Sequence, residues 1–147
     1  MAGSMTRLVL AAIAAPFIGC VLGTVLYSSA YVAVFTRQFD ALAAAPVYGL
    51  VYAIGVGLPA MLVIGLPLHF GLRRLNLTTL PAYVATGLIG GAVTVGAIFF
   101  LAGLNFGTSY ATPLNDAFAV LPVGLLIGIC VSSAFWFIRR PDRGPSH

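Results

Sequence analysis

The chain contains no lysine and no glutamate, and its 147 residues include only seven arginines and three aspartates. Charged residues make up 7% of it, against about 25% in an ordinary soluble domain. So few charges cannot solvate the surface of a water-soluble globule of this length. Histidine is nearly as scarce. His147 ends the chain, which leaves His69 alone within or beside an apolar run. A membrane haem held by two facing histidines is therefore excluded, and no metal or other cofactor is expected. The two cysteines, Cys20 and Cys130, both lie inside apolar runs. They are too few for a disulfide framework or a zinc site and read as small packing residues. No serine–histidine–acid set can be gathered at one depth, so no enzymatic activity is expected.

What the chain has in abundance is apolar surface: 61% hydrophobic residues and a mean hydropathy of +1.07. It falls into four runs, at about 8–35, 46–72, 80–104 and 117–138. Each exceeds the ~20 residues that cross a bilayer's ~30 Å hydrocarbon layer as a helix. A bare backbone finds no hydrogen bonds in lipid, so the runs must be helical. The expectation is an all-α integral membrane protein, an antiparallel bundle of four transmembrane helices in one domain. The first run is too long for a signal peptide and reads as a retained helix.

Arginine placement gives an orientation. With four alternating helices, Arg7, Arg73, Arg74, Arg139, Arg140 and Arg143 fall on one side and Arg37 on the other. The positive-inside rule then predicts cytoplasmic termini and an inner-membrane location. These arginines form no basic face that could follow a phosphate backbone, so nucleic acid is excluded as a partner. The partner expected first is the lipid bilayer.

Small residues recur at four-residue intervals on three helices. Ala15, Gly19 and Gly23 lie on the first, Gly87 and Gly91 followed by Ala92 and Gly96 on the third, and Gly124, Gly128 and Ser132 on the fourth. A four-residue step stays on one helix face, and small side chains let helix backbones approach closely. These faces predict helix packing, either within one chain or against a second copy or another membrane protein. The second run is irregular, with Pro59 and Pro67 inside it. Interior prolines break helices that line transport sites, and they also make harmless kinks. Leu58–Gly65 and Leu121–Gly128 match at five positions, which fits an internal repeat and equally fits coincidence in so biased a composition.

Four tyrosines sit near the predicted outer side: Tyr27 and Tyr31 one turn apart, and Tyr48 and Tyr52 one turn apart. They either close an outward cleft, with Asp116 as its nearest acid, or form an aromatic belt at the headgroups. His69, one turn before Arg73, reads as an interfacial, solvated histidine.

The stretch from Gly65 to Leu75 and the ending from Phe135 to Arg143 resemble segments of small, uncharacterised four-helix inner-membrane proteins of bacteria. The resemblance covers two helix ends. It implies the same topology and carries no activity. The small multidrug exporters, which depend on a glutamate in their first helix, are excluded by its absence here. Two functions stay open. The first is a non-enzymatic protein acting through helix–helix contacts, as an accessory subunit, an immunity-type protein or a self-associating bundle. The second is a carrier or pore for a small or apolar solute, with Thr24, Ser28, Thr86, Thr94, Ser132 and Ser133 as its only polar lining.

Overall fold

The computed structural model describes the backbone of residues 2–33, 40–106 and 111–139, and the side chains of 5–33, 42–98 and 120–139. Among these residues the protein is all-helical, without strands. Four long helices result. We label them α1 (Ala2–Tyr31), α2 (residues 40–74), α3 (Leu80–Phe106) and α4 (Ala111–Arg139). Each is long and apolar enough to cross a membrane. The limits depart most from the hydropathy runs at three starts: α1 begins at Ala2, α2 at Asp40 and α4 at Ala111. Hydropathy marks where side chains are apolar, whereas the backbone stays helical through polar flanking residues that can still hydrogen-bond.

The prolines of α2 neither end it nor split it. A π turn at Ala53–Gly57 precedes Pro59, and a second at Met61–Gly65 precedes Pro67. In each, an N–H donates five residues back, from Leu58 to Ala53 and from Leu66 to Met61. A proline ring presses on the carbonyl four residues before it, and widening that turn relieves the clash while keeping the helix continuous. Pro122 lies inside the unbroken α-helix of α4. The two halves of the suggested repeat therefore have different backbones.

A Schellman motif ends α2. Asn76 takes a left-handed conformation at φ 56°, and Leu77 N–H donates to Leu72 O at 2.9 Å. Asn76 N–H donates to Arg73 O at 3.2 Å, so two of the last free carbonyls are satisfied before α3 begins. Trp136 Nε1 donates to Thr78 O at 2.8 Å, tying this turn to α4.

The helices pack in the order α2, α1, α4, α3. Hydropathy cannot set this order, because each helix is apolar nearly all round. Backbone proximity sets it. A Cβ on Gly19 would collide with Val131, and one on Gly23 would meet Ile127 Cγ1 at 2.7 Å, so α1 lies directly on α4. A Cβ on Gly128 would collide with the carbonyl of Gly87, and one on Gly91 with that of Gly124. Ser132 Oγ stands where a Gly87 side chain would be. Ala15 is fully buried. All eight expected packing residues thus sit at contacts inside a single chain. The α1–α2 seam uses Gly49, whose Cβ would come within 2.7 Å of Val21 Cα. Thr24 Oγ1 lies 3.1 Å from Ala45 O across that seam.

Candidate functional site

The packing order leaves α2 and α3 as the loosest neighbours. They meet through Met61–Gly65 and Leu66–Arg74 of α2, and a cavity of about 360 Å³ lies between these two helices and α4. Its walls come from residues 52–72, 83–98 and 120–135, with Cys20 contributed by α1. At 1.5 Å per residue the α3 wall alone runs about 22 Å, so the space is a long slot.

The lining is almost wholly apolar. Gly87, Gly90 and Gly91 on α3, and Gly124 and Gly128 on α4, are interspersed with the aliphatic side chains of those two walls. Gly90 has a different role from the packing glycines. A Cβ there would rest 3.8 Å from Ile64 across the slot, which is ordinary van der Waals contact, so a side chain could be accommodated where the packing glycines admit none.

Of the six hydroxyls expected along a polar path, Thr86, Thr94 and Ser132 line the cavity. All three are committed to their own helices. Thr86 Oγ1 donates to Tyr83 O at 2.9 Å, Thr94 Oγ1 to Gly90 O at 2.7 Å, and Ser132 Oγ to Ile129 O at 3.1 Å. Thr24, Ser28 and Ser133 are not part of the lining. A hydrated path needs several free hydrogen-bonding groups, and these three hydroxyls, each donating to its own helix, do not supply them.

An aromatic cluster closes one end. His69 is 2% exposed, which corrects the expectation of a solvated interfacial residue. Its Nδ1 and the Tyr83 hydroxyl share a hydrogen bond of 2.6 Å. Phe135 stands edge-on to the imidazole at 5.1 Å and stacks with Tyr83 at 6.2 Å between centroids. His69 Nε2 is buried with no hydrogen-bond partner. Sequence alone could not find this plug, because its three members come from three helices and the signal for each is a single aromatic ring in an apolar run.

The tyrosines at the other end do not gather. Tyr27 and Tyr31 stack at 6.1 Å on α1, whereas Tyr48 and Tyr52 are 61% and 51% exposed on α2. Of the four, Tyr52 alone lines the cavity. Asp116, the acid expected near them, lies outside the described side chains. Cys20 and Cys130 are both free thiols, and no group of three or more histidine, cysteine or acidic side chains assembles among the described residues.

Comparison with protein-family models, with curated proteins and with solved structures finds no match for this chain. The functional reading rests on the site itself.

Proposed function

We propose that the chain is a multi-pass inner-membrane protein that takes up a small apolar molecule from the bilayer into the slot between α2 and α3. In this reading the four helices form an antiparallel bundle with both termini in the cytoplasm, and the protein performs no chemistry of its own. Two registers support the antiparallel arrangement. Gly19 opposes Val131 while Gly23 opposes Ile127, and Gly87 opposes Gly128 while Gly91 opposes Gly124. As one chain number rises, its partner's falls. Arginine placement supports the orientation.

The observation that carries the reading is the slot's chemistry. Small-molecule sites are mostly apolar concavities of about 300–1,000 Å³, and this one has that size. Its threonine and serine hydroxyls along α3 and α4 donate to their own helices, so a polar solute would lose its water with little compensation there. An apolar solute loses nothing. The other reading, association with a second copy or another membrane protein, drew on the glycine faces, and those faces are occupied within the chain.

The test is to fill the slot. Gly90→Phe places a ring in the open space without touching the packed α3–α4 face. Mass spectrometry of gently purified protein should show an apolar molecule retained by the natural sequence and absent from the variant. Equal retention by both would reject the slot as the site.

A further inference from the structure

The end of the molecule beyond the aromatic plug gathers arginines from three helices. Arg7 lies four residues before Ala11, Arg73 four after His69, and Arg139 four after Phe135. Each of those three reference residues is buried where the helices converge, and Ala11 shares one apolar cluster with Phe135, Tyr83 and Leu72. A four-residue step returns to the same helix face, so the three arginines continue the converging faces by one turn. Leu72 belongs to that cluster and Leu8 and Ile138 pack against it, so the residues next to Arg73, Arg7 and Arg139 in sequence lie together. Arg139 is partly buried, and its Nε has no hydrogen-bond partner.

Like charges held together in this way call for an anion, and the chain is poorly placed to supply one. Asp40 opens α2 and Asp116 lies in the first turns of α4. At 1.5 Å per residue they are roughly 50 Å and 35 Å along their helices from Arg73 and Arg139. Asp142 is outnumbered in sequence by Arg139, Arg140 and Arg143.

We propose that this arginine cluster is a binding site for the phosphate of an anionic phospholipid, seated where α1, α2 and α4 end. Guanidinium groups present paired N–H donors that match phosphate oxygens, and basic pockets between membrane helices hold anionic headgroups in this manner. The surroundings favour a lipid over a soluble phosphate. Phe70 and Phe137 are exposed within one turn of Arg73 and Arg139, and Val9 and Leu10 are exposed within one turn of Arg7. An amphiphile whose phosphate meets the arginines can lay its acyl chains along those residues. The site is independent of the slot, and either can fail without the other.

The experiment uses the full chain in phosphatidylcholine nanodiscs, titrated with phosphatidylglycerol and read by lipid retention in native mass spectrometry. Phosphatidylglycerol should be retained over phosphatidylcholine, and Arg139→Gln and Arg73→Gln should each weaken that preference at least about fivefold. Arg74→Gln removes the same charge from the next position on α2, about 100° round the helix, and should leave the preference nearly intact. If Arg139→Gln fails to fold, judged by its helical circular dichroism, the exposed Arg73 carries the test. Equal losses from Arg74→Gln and Arg73→Gln would reduce the effect to diffuse surface charge and overturn the site. Displacement of the lipid by millimolar glycerol phosphate would also overturn it, by showing that a soluble phosphate is the ligand.

Discussion

His69 and Tyr83 are fourteen residues apart in the chain and 2.6 Å apart in space, imidazole Nδ1 against phenol hydroxyl. The pair joins α2 to α3 at the one end where those helices meet, and so fixes where the slot stops. A neutral imidazole has one donor and one acceptor nitrogen, so the hydroxyl must complement whichever Nδ1 is. Phe135 packs on both rings from α4, which makes the plug a three-helix junction.

Removing both partners should cost less than the sum of removing each. Tyr83→Phe strands a buried nitrogen, at about 1 kcal/mol, since hydrogen bonds between membrane helices average ~0.6 and reach ~1.7 kcal/mol. His69→Phe should cost a similar amount, and the double variant less than the sum. Reversible unfolding in mixed micelles gives the three values. Strict additivity would show that the contact contributes nothing.

The glycines divide into two classes that equilibrium unfolding should separate. Gly128→Ala places a Cβ against the Gly87 carbonyl, and overpacking of this kind costs about 1–3 kcal/mol. Gly128→Leu should prevent folding. A methyl group added at Gly55 or Gly96 would meet nothing within 4 Å, so Gly→Ala there should be neutral or stabilising by up to about 1 kcal/mol through helix propensity. Leu126→Ile is expected to be nearly silent. A uniform response across these sites would contradict the packing order.

Much of the architecture is legible in the residue types. A 7% charge content and four long apolar runs leave few alternatives, and four-residue spacing marks Gly19, Gly23, Gly124 and Gly128, where an added Cβ would meet the facing helix. The same spacing takes in Gly96, where an added Cβ meets nothing within 4 Å among the described residues, because spacing gives a face without saying what lies opposite. His69 shows the limit most clearly. Its neighbours in sequence, Leu68, Phe70 and Arg73, suggest an interfacial position, and its burial comes from Tyr83 and Phe135 on other helices. The slot is invisible for the same reason. Gly90 and Gly91 are adjacent glycines that both line the cavity, yet only Gly91 packs on the Gly124 backbone.

Orientation is tested by reporter fusions. With six arginines on one side against one on the other, fusions at Ser4 and after Arg143 should both report from the cytoplasm. A signal from the opposite side at either position would reverse or break the topology.

Whether the slot between α2 and α3 holds an apolar molecule is decided by photolabelling with an alkyl diazirine in the bilayer. Adducts are expected at Ile64 and Val123 that Gly90→Phe abolishes, beside unchanged labelling of the exposed Val63, Ile89 and Val93. Labelling confined to Val63, Ile89 and Val93, or slot adducts that persist in Gly90→Phe, would contradict uptake into the slot.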